Sequence, residues 1–136
     1  MKPLDDSDET PLVSAIIVTW NCRDYVLNCL ETVYRNADVS FEVIVRDNGS
    51  NVGKNQAIRA VYPQVHLVSD GNNIGFAAAN NEAIRQATGR YLLLLNPDTQ
   101  LPEGTLAAFI SGIERYDYPV MIVPPLLNSD GTVQPS

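Results

Sequence analysis

The chain has 136 residues, 45% hydrophobic and 18% charged, with a formal net charge of -7 at pH 7. That is enough for one domain with a core and too little for two. The acidity argues against nucleic acid or an anionic membrane surface as partner, and the longest apolar run, Tyr91 to Leu95, is far too short to span a bilayer.

Met1 to Pro11 carries Asp5, Asp6, Asp8 and Glu9 without apolar periodicity. It is expected to be a flexible acidic tail over residues 1–11, ahead of a single domain over 12–136. No apolar stretch follows Met1-Lys2-Pro3-Leu4, so no secretory signal is visible and a cytoplasmic location is expected. Val13 to Val18 is a short β-branched run, the mark of a strand buried on both faces. Val26, Leu27, Leu30, Val33 and Tyr34 then recur at helical spacing, with Asp24 as the expected N-cap. Cys22 and Cys29 sit seven apart at the start of that helix. A separation of about 10 Å is too long for a disulfide, and two free thiols fit a reducing cytoplasm.

Phe41 to Val45 reads as the second strand, closed by the turn cluster Asp47-Asn48-Gly49-Ser50. Gly53 to Val61 is a short helix stopped by Pro63, and Val65 to Val68 the third strand. Gly75 to Ala87 is an Ala-rich helix closing at Gly89, and Tyr91 to Leu95 the fourth strand. After Asn96-Pro97-Asp98-Thr99, a helix is expected from Pro102 to about Tyr116, then a fifth strand at Val120 to Val123. Alternating strands and helices predict an α/β fold, a Rossmann-like and mostly parallel sheet with helices on both faces. With strand order 3-2-1-4 the winding reverses between strands 1 and 4, and ligands bind at such a switch point beyond the carboxyl ends of the strands. Thr19-Trp20-Asn21, Asp47-Asn48 and Asn96-Pro97-Asp98 all follow strand ends there. This convergence predicts a site.

No single motif is decisive. Gly49 to Asn55 is one residue too short for a phosphate-binding P-loop, and Asn55 stands where Ser or Thr should hold magnesium. The first strand is followed by no glycine, so a dinucleotide loop is unsupported. Asn96 and Asp98 can aim two oxygens at one Mg or Mn ion, although taken alone the tripeptide reads as turn chemistry. Asp47 can accept a hydrogen bond from a pyrimidine imide, or merely shape its turn; Arg46 beside it is read as solvated. Asn72 to Asn81 opens the third helix with small residues, which suit either an anion at the helix start or tight packing on the sheet. Trp20 suits base stacking and core filling equally. His66, the only histidine, lies away from the site end and reads as structural or exposed rather than catalytic.

Together, Val-Ser-Ala-Ile-Ile-Val-Thr-Trp-Asn (13–21), Asp-Asn-Gly-Ser (47–50), Asn-Ile-Gly-Phe-Ala (73–77) and Leu-Leu-Leu-Leu-Asn-Pro-Asp (92–98) resemble glycosyltransferase family two, most closely its rhamnosyltransferase-like members of polysaccharide assembly. The resemblance runs from about Leu12 to the last residue. It implies a GT-A fold, a nucleoside-diphosphate-sugar donor (dTDP-rhamnose or a UDP-sugar), an inverting transfer, and Mg or Mn as cofactor. The donor-binding residues it implies are Thr19, Trp20, Asn21, Asp47, Asn48, Gly75 and Asn80, the last where many relatives carry an arginine. Asn96 and Asp98 match the Asp-x-Asp metal motif, with Asn96 in place of the first acid. The implied partners are a nucleotide-sugar and a saccharide or lipid-linked acceptor, at the inner membrane face. No residue of this chain is a candidate catalytic base. The base and most acceptor contacts are expected beyond Ser136, leaving this chain an inactive donor-binding half prone to self-association through uncovered sheet. Two other classes stay open: a non-catalytic nucleotide-sugar-binding module, and a nucleotidyltransferase.

Overall fold

The computed structural model describes residues 10–51 and 53–135. Met1 to Glu9 of the expected tail lie outside the described residues. Pro11 is already buried, and the Leu12 N–H donates to the Ser40 carbonyl at 3.1 Å, so the domain is engaged before Leu12.

The elements run β1 (Val13–Thr19), α1 (Arg23–Asn36), β2 (Phe41–Asp47), α2 (Lys54–Val61), β3 (His66–Ser69), α3 (Phe76–Ile84), β4 (Tyr91–Leu94) and α4 (Thr105–Ile113). The sheet order is β3-β2-β1-β4 with every pair parallel, the expected order. β1 and β2 pair over seven residues, from Val13 against Phe41 to Thr19 against Asp47. Both are buried along almost their whole length, which their β-branched runs require.

Side chains alternate across a strand, and the two faces are covered unequally. Val13, Ala15, Ile17, Phe41, Val43 and Val45 meet Val26, Leu30 and Val33 of α1, Ile58 of α2, and Leu106 and Ile110 of α4 in one core. Tyr34 of α1 stacks on Tyr62 at the end of α2, with ring centroids 5.2 Å apart. Ile16 and Ile44 face the other way and meet Ala83 of α3. Ala79 and Ala83 are fully buried, so the small residues of α3 serve close packing on the sheet. α3 lies over β1 and β2. Leu92 and Leu94, which share a face with Ile16 through the β1–β4 register, are therefore left 49% and 54% exposed.

Several boundaries differ from the sequence reading. Cys22, not Asp24, occupies the N-cap of α1, its thiol donating back to the Trp20 carbonyl and not capping the helix; Asp24 sits in the first turn and accepts from Arg23 Nε at 3.0 Å. α3 ends at Ile84 and α4 spans only Thr105–Ile113, with Pro102 upstream accepting the Thr105 N–H. Val120 to Val123 is not a strand. An apolar run makes a strand only beside a partner; here Ile122 packs on Gly112 of α4, where an added Cβ would lie 2.9 Å from Ile122 Cδ1.

The amino ends of β1 and β2 are closed by a polar clasp. Glu42 Oε1 accepts the Ser14 hydroxyl at 2.6 Å and the Thr88 amide at 2.7 Å, and the Gly89 N–H donates to Ser14 Oγ at 2.8 Å. Gly89 is required: a Cβ there would lie 2.7 Å from the Ser14 backbone nitrogen. Burial works to raise the Glu42 pKa, but the Ser14 and Thr88 donors prevail and hold it below the usual range.

Candidate functional site

At the opposite end, Thr19, Asp47 and Ser69 are register partners across β1, β2 and β3. This parallel alignment brings the strand-end loops to one rim. The Thr19 carbonyl accepts the Asn48 N–H at 2.8 Å, which carries the β1–β2 ladder one bond beyond the Thr19–Asp47 pair.

Asp47 is buried and organises this rim. Its Oδ2 accepts from Asn55 Nδ2 at 2.9 Å, from the Ser69 hydroxyl at 3.1 Å and from the Ser50 N–H at 3.2 Å. Its Oδ1 meets the same Ser50 N–H at 3.3 Å. The carboxylate thus ties β2 to α2 and β3 through one oxygen far more than through the other. Asn55 and Ser69 join Asp47 at the candidate site although the sequence pattern singles out neither as a site residue. In the sequence Asn55 stands only as a misplaced magnesium ligand, and no signal marks Ser69.

Asn21 takes a left-handed backbone, φ 55°, which Asn tolerates better than most residues. Its N–H donates to Ser50 Oγ at 2.9 Å, and its Oδ1 accepts the Asn51 N–H at 3.2 Å. The loop after β1 is thereby stitched to the turn after β2, and Trp20, just before Asn21, is 56% exposed.

A second set of bonds fixes the loop before α3. Asn48 Nδ2 donates to Asn73 Oδ1 at 3.0 Å, and Asn48 Oδ1 accepts the Ile74 N–H at 2.9 Å. Asn73 Oδ1 also accepts the Gly75 N–H at 3.0 Å. Gly75 caps α3 at φ 85° and ψ 160°, a backbone that favours glycine. Asn80 lies one turn into α3, buried, with Nδ2 donating to the Phe76 carbonyl at 2.9 Å. Asn73 is visible in the Asn-Ile-Gly-Phe-Ala motif, yet the motif does not announce its side-chain role.

Arg46 is the main departure. Far from being solvated, its side chain is fully buried on the α3 face of β2. Nε donates to Glu82 Oε2 at 2.6 Å, Nη2 to Asp70 Oδ1 at 3.1 Å, and Nη1 to the Asp47 carbonyl. Burial alone would lower its pKa, but Glu82 and Asp70 raise it, so the guanidinium stays charged.

Asn96 and Asp98 follow β4, across the switch point from Thr19. Both are exposed. The Asn96 carbonyl accepts the Thr99 hydroxyl at 2.6 Å and the Cys29 thiol at 3.8 Å, which anchors the turn and leaves both side chains at the surface. Burial pushes the Cys29 thiol up to about 11, so it stays protonated at neutral pH. Among the described residues no three His, Cys, Asp or Glu side chains cluster as a metal cage. Asn96 and Asp98 fit a cation that draws most of its shell from a diphosphate and water, as Mg and Mn do. Among the described residues no helix is long and apolar enough to cross a membrane.

The family model "Glycosyl transferase family 2" matches residues 14–135. An N-acetylglucosaminyl-diphospho-decaprenol L-rhamnosyltransferase of Mycobacterium tuberculosis is 26% identical over 138 residues, covering 93% of this chain and 45% of that protein. A mannosyltransferase from Pyrobaculum calidifontis, solved in complex with GDP-Man and Mn2+, superposes with a TM-score of 0.64 at 28% identity, over 74% of this chain and 31% of its own. S. aureus TarS 1-349, solved in complex with UDP-GlcNAc, gives a TM-score of 0.64 at 25% identity, over 76% and 31%. The chain therefore spans less than half the length of these relatives.

Proposed function

Because the chain belongs to glycosyl transferase family 2, we propose that residues 12–136 form the donor-binding part of an inverting glycosyltransferase of polysaccharide assembly, taking dTDP-rhamnose or a UDP-sugar. The observation that carries this reading is the meeting of the β1, β2 and β4 loops at the switch point of a parallel sheet, where such folds bind ligands. In this reading Asp47 Oδ1, the less committed oxygen, accepts the pyrimidine imide N–H. Trp20 offers a ring to the base, Thr19 and Asn21 line the end of β1 and its loop, and Asn48, Gly75 and Asn80 line the β2 turn and the start of α3. A divalent cation held by Asn96 and Asp98 would supply charge neutralisation at the departing diphosphate. A saccharide or lipid-linked acceptor goes with this reading. A cytoplasmic location at the inner membrane face goes with this reading, and so do two free cysteines.

A nucleotidyltransferase is less well supported. It calls for a glycine-rich basic loop after β1, and the cation there, Arg23, is paired with Asp24.

Calorimetric titration with UDP, dTDP and their sugars, with and without Mn, tests the reading. Metal-enhanced affinity is expected, and Asp98→Ala should abolish the enhancement. A variant that kept it would remove Asp98 from the metal site. Self-association through the uncovered face of β4 is also expected, because Leu92 and Leu94 lie open there. Light scattering that found only monomer would refute it.

A further inference from the structure

We infer that Arg46 is a positioning residue for the donor: one buried guanidinium sets the 70–75 loop against the 47–50 turn in the form that receives the nucleoside diphosphate. The inference rests on the donor-site reading above.

Arg46 is a costly choice for this place. Its neighbours on the same sheet face, Ile44 and Ile16, are apolar. Removing a guanidinium from water is unfavourable, and apolar groups of similar volume often serve stability as well or better. Stability alone is therefore a poor account of it.

Its three acceptors lie on three pieces of chain: Asp70 after β3, Glu82 within α3, and the carbonyl of Asp47 at the end of β2. Asp70 Oδ1 passes the constraint on by accepting the Asn72 N–H at 2.9 Å. Asn73 and Ile74, the next residues, are those held by Asn48. The loop is thus pinned from one side through Asp70 and from the other through Asn48.

The fit between loop and turn is close. A Cβ on Gly49 would stand 2.9 Å from Asn73 N and 3.0 Å from Asn72 C. A loop set this tightly fixes Gly75, the N-cap of α3, and with it the start of the helix that carries Asn80. Lysine could not replace the pin, because a single ammonium lacks the planar fork that reaches three separated acceptors.

The alternative is an ion pair that merely helps the fold. Two variants of the full chain separate the possibilities: Arg46→Lys, and the neutral set Arg46→Met with Asp70→Asn and Glu82→Gln, which leaves no orphan charge. Three quantities are measured: affinity for UDP and dTDP by calorimetry, amide hydrogen exchange, and thermal unfolding. The neutral set is expected to remain folded, with amides of the β1–β2 ladder protected as in wild type. Its Asn72, Ile74 and Gly75 amides should exchange at least about tenfold faster, and UDP and dTDP should each bind at least about tenfold more weakly. Arg46→Lys should show the same pattern, because it keeps the charge and loses the fork. Wild-type affinity in the folded neutral set, or unchanged exchange at Asn72, Ile74 and Gly75, overturns the inference while leaving the donor site intact. If the wild-type chain binds no nucleoside diphosphate at all, the donor-site reading itself fails, and the inference with it.

Discussion

The same two strands end in two polar networks, and the networks differ in what they leave free. At the amino end, Ser14, Glu42, Thr88 and Gly89 close on one another within a space too small for a methyl group. At the carboxyl end, Asp47 with Asn55 and Ser69, and Asn48 with Asn73, hold up a rim from which Trp20 and Asn21 reach solvent, with Asn96 and Asp98 exposed after the neighbouring strand β4. Hydrogen bonding alone does not mark a site. The clasp joins a sheet to its own loop; the rim joins three strand ends to each other and presents their loops to solvent.

Substitutions can break the contrast. Gly89→Ala should have the largest effect, destabilising the fold by roughly 3 kcal/mol because its Cβ meets Ser14 backbone, not a side chain that could swing away. Denaturant unfolding measures the loss, and nucleotide affinity of the folded fraction should be unchanged. Asp47→Asn should do the opposite, weakening pyrimidine nucleotides by roughly 1.5–3 kcal/mol through a lost charge-assisted bond, with the metal effect retained. Equal affinity of both proteins for UDP and dTDP would move base reading elsewhere.

Glu42→Gln should have the smallest effect, about 1 kcal/mol at neutral pH, and should sharpen the contrast through pH. The folded pKa of Glu42 is lowered, so as pH falls the unfolded chain takes up the proton first. Its contribution is complete above the unfolded value, near 4.5, and is lost as pH falls through the lower folded value. Wild type should therefore lose more stability than the variant on acidification below that point, measured by unfolding at a series of pH values.

Much of this fold is legible because it is written locally. The β-branched runs of β1 and β2, buried on both faces, could hardly be anything else, and the sheet order follows from β-α alternation. Val120 to Val123 carries the same signal and is no strand, because an apolar run cannot say whether it will meet a strand or a helix such as α4. Candidate positions are legible at strand ends: Thr19 and Asp47 close β1 and β2, and Asn96 and Asp98 follow β4, where the pattern locates them. The partners of Asp47 are not, since Asn55 and Ser69 are brought to it by α2 and β3 packing. The burial of Arg46 is hidden for the same reason. Its carboxylates lie 24 and 36 residues away, and no local pattern announces a buried ion pair.

The clasp has a consequence for the order of assembly. Ser14 meets Glu42 across 28 residues and Gly89 across 75. Closing the longer loop costs more chain entropy, and α1 lies ready to bridge the shorter one. The β1-α1-β2 unit is therefore expected to form first, with Gly89 docking on it afterwards and the Thr88 amide reaching Glu42 last, which would make the clasp a latch that fastens β4 to the sheet. Pulse-labelled exchange should find the Gly89 amide protected after those of the β1–β2 ladder.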